Sequence, residues 1–309
     1  MGTSLKGESE LHLNLLKLHI VELLDKHQKI TAVADLLGLK QPTVTFHMKN
    51  LEKEMGVKLF DARMGRILLT DAGRALLHYS VKINALANEA QRVVREFDSL
   101  QRGHISIGAS YVSATYILPS ILHRFSQEYP GIQISLSVKT APVIQEKLHR
   151  REFDLGLVST EPFTMSSLTA EQICKDELVL ICAPTHPLAS TQELTPDILA
   201  SASFILHGRD SNTRQLTDKW LANAGRSLTS RLEMDSLEAI KQTVMLGEHV
   251  SFVSRIAVEA EVARGQLIAQ PIPDNPYERY IYLVSNSDRH RSALIQHLAG
   301  YIALAYQPV

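Results

Sequence analysis

Apolar residues recur three and four apart through "LLKLHIVELLDKH" (residues 15–27) and again through "TAVADLLGL" (31–39), which predicts two short amphipathic helices. The second should start at Thr31 as N-cap and stop at Gly38. A third helix opens at Pro42, where a missing N–H costs nothing, and Val44, Met48, Leu51 and Met55 form its apolar stripe, with Leu59 and Phe60 just beyond. The opposite face carries Thr43, Phe46, His47 and Asn50, flanked by Thr45 and Lys49. From Ala72 the spacing changes to a sustained 4-3-4-3 alternation: Ala72, Leu76, Tyr79, Ile83, Leu86, Ala90, Val93, Phe97, Leu100. Such heptads predict a coiled-coil seam, here used for dimerisation.

After Gly103 the texture becomes short strands alternating with helices. "HISIGA", a helix over 115–129, "IQISLSV", a helix near 142–150 and "DLGLVS" read as βαβαβ. "ELVLICA", "SFILH", "LTSRLEM", "VSFVS" and "YIYLVSN" continue the alternation, with helices beginning near Ser211, Ser236 and Arg255 and a last one over 288–306. Parallel sheets in two lobes are expected, with ligands at strand C-termini and helix N-termini. Three turns at such places are polar: "GASYVSAT", "HGRDSNTR" and "EMDSLEA".

The order helix, short helix, Gly turn, Pro-led helix makes a helix-turn-helix, whose second helix enters the major groove of DNA. "FDARMGRILLTDAG" then supplies a basic hairpin wing through Arg63 and Arg66. Phe46 and His47 thus face DNA rather than a core. Charge alone adds little: of the net −1, residues 1–100 hold 14 Lys/Arg against 12 Asp/Glu.

Composition bounds the rest. The chain's 309 residues suit two or three domains, and its 21% charged and 45% hydrophobic residues suit an ordinary globular protein. No apolar run is long enough to span a bilayer and the N-terminus has no signal-peptide core, so a cytoplasmic location with no membrane partner is expected. Cys174 and Cys182 lack metal-ligand or CxxC spacing and are read as buried or inert. GxSxG, GxxxxGK[ST] and HExxH are missing and the thirteen histidines are scattered, so an enzyme, a metal or another cofactor is not expected.

Residues 11–73 resemble the DNA-binding domain of LysR-type transcriptional regulators. The family pattern "AA..L..SQPA.S..I..LE..LG..LF.R" with "LT.AG" reads here "AVADLLGLKQPTVTFHMKNLEKEMGVKLFDARMGRILLTDAG". Gln41, Pro42, Leu51, Glu52, Gly56, Leu59, Phe60, Arg63, Thr70 and Gly73 fall in place, while Lys40 replaces the usual Ser and Thr43 the usual Ala. "DSLEAIKQTVMLGEHVSFVSR" is similar to that family's "GSTEAIK.AV..GLG.A.LSR", with Glu248 and His249 in place of Leu-Gly. "HGRDSNTR" resembles "REPGSGTR", found in members that sense small anions, among them regulators of cysteine synthesis and carbon fixation. Asp210 and Asn212 depart from that turn, and Tyr111 and Val112 replace a Thr-Thr pair, which leaves room for a different or partly apolar ligand.

The resemblance implies an α/β chain with a winged helix-turn-helix over 11–70, a linker and dimerisation helix over 71–101, and an effector domain like a periplasmic binding protein over 102–309. Lobe I would take 102–179 and 270–309, and lobe II 180–269. It implies DNA contacts by Gln41, Pro42, Thr43, Thr45, Phe46, His47, Lys49, Arg63 and Arg66, and dimerisation through Leu76, Tyr79, Ile83, Leu86, Val93 and Phe97. Effector contacts are expected from Ser110, Ser113, Thr115, Ser159, His207, Ser211, Asn212, Thr213 and Ser236. The expected partners are double-stranded operator DNA, a small-molecule effector with an anion among the options, a second or fourth copy of the chain, and RNA polymerase. The alternative is a regulator of the same fold that acts without an effector. A peroxide sensor is disfavoured, because neither cysteine lies near the "HGRDSNTR" turn.

Overall fold

The computed structural model describes residues 13–63, 65–96, 103–228, 232–273, 275–289 and 291–306. The chain divides into two compact units, residues 1–95 and 96–309.

In the first unit, helices α1 (Leu15–His27), α2 (Ile30–Leu37) and α3 (Gln41–Met55) precede a hairpin of β1 (Phe60–Arg63) and β2 (Arg66–Leu69), and α4 (Asp71–Glu96) follows. Each short helix ends on a residue in the left-handed region, Gln28, Gly38 or Gly56, so the chain reverses within one or two residues. Helix α2 starts two residues earlier than expected: Lys29 is its N-cap, and Thr31 lies inside the first turn. Ile20, Val21, Leu24, Val33, Val44, Met48, Leu51, Leu59, Phe60 and Leu69 form the core. Met55, expected on that stripe, is instead exposed, as the last residue of α3 before the left-handed Gly56.

The family motif residues here have structural work. The Glu52 carboxylate accepts hydrogen bonds from the backbone N–H groups of Leu59 and Phe60, tying α3 to the hairpin. Thr70 Oγ1 donates to the Lys58 carbonyl and accepts from the Gly73 N–H, capping α4. A Cβ on Gly73 would stand 2.3 Å from the Leu59 carbonyl oxygen, so only glycine lets α4 pack this closely.

The second unit opens with β3 (Gly103–Ala109), and a π-helical turn over Ser113–Ile117 leads into α5 (Leu118–Glu128). Then come β4 (Ile132–Val138), α6 (Ala141–His149), β5 (Leu155–Thr160), β6 (Leu168–Lys175) and β7 (Leu178–Cys182). A 3-10 turn precedes α7 (Pro196–Ser201), β8 (Ile205–His207), α8 (Asn212–Asn223), β9 (Leu232–Met234), α9 (Leu237–Met245) and β10 (Ser251–Ser254). The chain closes with α10 (Glu259–Ala263), β11 (Ile268–Pro271), β12 (Tyr280–Asn286) and α11 (Ala293–Leu304). The last helix is thus shorter than the 288–306 expected; four of its residues complete the first lobe's core beside α5.

One lobe is a five-stranded sheet in the order β4-β3-β5-β12-β6; the other holds β10-β7-β11 and the pair β8-β9. The expectation of parallel sheets needs correction. β3 pairs in parallel with β4 and β5, but β12 runs antiparallel to β5 and β6, and β7 antiparallel to β10 and β11. The antiparallel strands flank the two crossings between lobes, where the chain turns back instead of making a helical crossover. These crossings lie at 176–177 and 272–279, so the expected cuts at 179/180 and 269/270 shift to put all of β7 and β11 in the second lobe.

Candidate DNA-binding surface and effector cleft

On α3, Gln41, Pro42 and Lys49 are exposed, Thr43, Thr45 and His47 are half-buried, and Phe46 is 60% exposed. The rings of Phe46 and His47 meet edge to face at 5.8 Å. In the hairpin, Arg63 pairs directly with Arg66 across a two-residue turn whose Gly65 has φ +74°. Both arginines are exposed, and Arg63 Nε lies 2.7 Å from Asp61 Oδ2. An ion pair this exposed contributes at most about 1 kcal/mol, which leaves Arg63 free to exchange Asp61 for a phosphate.

Along α4 the heptad residues divide. Ala72 and Leu76 pack on the unit's own core, whereas Tyr79, Ile83 and Leu86 are exposed. The opposite face carries the buried Ser80 and Asn84, the latter donating to Glu22 on α1. The side chain of Val93, and Phe97 and Leu100, fall outside the described residues.

Between the lobes of the second unit lies a cleft of about 610 Å³. Lobe I lines it from the end of β3 (Ser110, Tyr111, Val112), from β4 into α6 (Val138 to Ala141) and from Ser159; lobe II contributes the turn from His207 to Thr213 with Glu233 and Asp235. Of the residues expected here, Ser110, Ser159, His207, Ser211, Asn212 and Thr213 line it. Three do not. Ser113 is buried, its hydroxyl 3.2 Å from that of Ser110; Thr115 faces out of the π turn; and Ser236 caps α9 by accepting from the Ala239 N–H. Periodicity could not foresee the first two, because a π turn rotates side chains away from α-helical positions.

Sequence reasoning missed Lys139, Thr140, Arg209, Glu233, Asp235 and Arg279 as lining residues. Arg279 comes from the second crossing, far along the chain from every motif. Buried at 4% exposure, its Nη2 lies 3.0 Å from Asp176 in the first crossing and its Nη1 donates to Thr213 Oγ1. At Gly208 the cleft floor carries no side chain, and Asp235 Oδ1 stands over it, 2.0 Å from where a Cβ would be; a larger residue there would have to displace that exposed carboxylate.

His207 Nε2 donates to the Phe252 carbonyl, which leaves Nδ1 as the ring's acceptor. Burial, reinforced by Arg279 and Arg214 and opposed only by that hydrogen bond, lowers its pKa to about 4. Two helix N-termini face the cleft, and neither N-cap side chain, Thr140 for α6 or Ser211 for α8, bonds its own helix. Across the lobes, the ammonium of Lys241 on α9 contacts Tyr116 Oη of the π turn, Glu238 and Glu261, and Tyr116 donates to Glu238. Cys174 and Cys182 are free, and burial pushes both thiols up to about 11, Asp176 adding to the rise at Cys174. Among the described residues no helix is long and apolar enough to cross a membrane, and no three His, Cys, Asp or Glu side chains cluster to hold a metal.

Residues 15–74 match the profile "Bacterial regulatory helix-turn-helix protein, lysR family", and residues 98–305 match "LysR substrate binding domain". A probable RuBisCO transcriptional regulator of Phaeodactylum tricornutum is 31% identical over 295 residues, covering 94% of this chain and 96% of that protein. The regulatory domain of Synechocystis PCC6803 CcmR in complex with 2-PG is 27% identical with a TM-score of 0.62, covering 67% of this chain and 99% of that one. Full-length CbnR complexed with its target DNA superposes with a TM-score of 0.64 at 20% identity, covering 95% of this chain and 100% of that one. The chain belongs to the LysR family of transcriptional regulators, with a helix-turn-helix unit for DNA and a two-lobed unit for an effector.

Proposed function

We propose that this regulator binds operator DNA as a dimer or tetramer in the cytoplasm and alters transcription by RNA polymerase in response to a small anion held in the cleft. The observation that carries the effector's chemistry is the pair of uncapped helix N-termini, α6 from one lobe and α8 from the other, on one cavity. First-turn N–H groups without side-chain partners are ready-made anion donors, and an anion reached from both lobes favours their closed arrangement. Lys139 and Arg209 add positive charge against Asp210 and Asp235, while Arg279 is paired with Asp176 and Glu233 with Arg214, so the helix N-termini rather than net charge carry the reading. The 2-PG bound by the CcmR domain is an anion of fitting class.

Ser110, Ser159, His207, Ser211, Asn212 and Thr213 would contact it, and Gln41, Pro42, Thr43, Thr45, Phe46, His47, Lys49, Arg63 and Arg66 would contact DNA. The exposed Tyr79, Ile83 and Leu86, with Val93 and Phe97, would form the dimer seam, whereas Leu76, expected there, packs on its own unit's core. The experiment is thermal unfolding of the whole chain against inorganic phosphate, 2-PG and small carboxylates. A ligand at a hundredfold its Kd adds about 2.7 kcal/mol. A shift with 2-PG or phosphate that Ser211→Ala plus Thr213→Ala abolishes supports the reading. No shift with any anion favours a regulator that works without an effector.

A further inference from the structure

The outward face of α3 carries one residue out of keeping with its neighbours. Thr43, Thr45, His47, Lys49 and Asn50 are polar or charged, yet Phe46 among them is 60% exposed. Of the other exposed apolar residues in the three short helices and the turn after them, Leu15 lies on α1 and Leu36 on α2, while Met55 and Val57 lie at the far end of α3 and beyond it, so Phe46 alone among them stands on the N-terminal half of α3. Phe46 stands in the second turn from the N-terminus, the part of a recognition helix that reaches base edges.

Its ring is positioned. His47 meets it edge to face at 5.8 Å with planes at 69°, and the His47 ring is itself half-buried, with Nδ1 enclosed and without a hydrogen-bond partner. An enclosed lone pair is better tolerated than an enclosed orphan N–H, so the ring's proton belongs on Nε2, on the less enclosed side. The face therefore offers an apolar ring beside one N–H donor.

Resting on the reading of α3 as the recognition helix, we propose that Phe46 reads the C5-methyl group of a thymine in each half-site, with His47 as its positioning residue. In the major groove a phenyl ring has no donor or acceptor with which to select among base edges, and among the four standard bases thymine alone presents an apolar group there. Phe46 thus selects by burying that methyl, whereas the polar residues around it select by hydrogen bonding.

The test uses the full-length protein. A binding selection from randomised duplexes defines the preferred site, and each thymine in it is then replaced singly by deoxyuridine, which removes only the methyl. Loss of one buried carbon should weaken binding roughly four-fold at one symmetric pair of positions per half-site change. Phe46→Ser should lose that penalty, Phe46→Leu should keep part of it, and His47→Ala should shrink it because the ring is no longer held. Circular dichroism checks that each variant is folded. Indifference of the unaltered protein to every uracil, or an undiminished penalty in Phe46→Ser, overturns the inference alone. Failure to enrich any duplex would overturn the DNA-binding reading beneath it.

Discussion

Single atoms decide much here. Gly73 carries no side chain because the Leu59 carbonyl occupies the place of its Cβ. Gly73→Ala should force α4 away from the hairpin and cost about 1–3 kcal/mol, seen as a lower denaturant midpoint for the N-terminal unit. His207 makes a pH prediction. Its pKa is about 4 in the folded chain against 6.5 for the free side chain, so as pH falls from 6.5 the unfolded chain takes up the proton first. Stability should therefore drop between about pH 6.5 and 4, by on the order of 3 kcal/mol, and be unaffected by this group above pH 7. Urea titrations across that range check it, with His207→Gln flattening the slope.

Among elements, the π turn over Ser113–Ile117 links the two lobes. Tyr111, Val112 and Tyr116 pack against the second lobe's core, and Tyr116 meets Lys241, whose side chain is 2% exposed. Burial opposes the charge on Lys241, but hydrogen bonds to Glu261, Tyr116 and Glu238 outweigh it and raise its pKa above the usual lysine range. Burial and the bond to Glu238 push Tyr116 up to about 12. Lys241→Met should cost about 2–3 kcal/mol, because the largely buried Glu261 loses the charge that holds it while the half-exposed Glu238 regains water. Tyr116→Phe should cost only about 1 kcal/mol, and its expected signature is faster hydrogen exchange at the lobe junction rather than global unfolding. The identity of Lys241 was legible as a family motif residue, but its partners were not: Tyr116 lies 125 positions away in the chain.

For the whole molecule, the exposed stripe of Tyr79, Ile83 and Leu86 predicts that Ile83→Glu with Leu86→Glu yields a monomer by sedimentation equilibrium, with operator affinity reduced at least tenfold. Arg66→Ala should weaken binding to all duplexes alike and lower the salt slope by about 0.9 per protomer, since a lost phosphate contact releases no counterion. Neither substitution touches a core residue, so thermal stability of each unit should be unchanged.

Much of this architecture lies in local sequence. The three helices, the left-handed glycine stops of the second and third, the tight hairpin and the heptad spacing follow from dihedral preference and periodicity, which act within a few residues. The same holds for "HGRDSNTR", where a strand end, a polar turn and a helix start sit together and do line the cleft. Met55 was misplaced because periodicity says which side a residue takes but not where the helix ends, and Thr115 because a π turn breaks the α-helical spacing. The antiparallel strands at the crossings, the pairing of Asp176 with Arg279 and the approach of Tyr116 to Lys241 join segments 70 to 128 residues apart. The family resemblance implied two lobes and a cleft between them; only the tertiary structure decided which side chains meet there, because such contacts depend on how the two lobes close on each other.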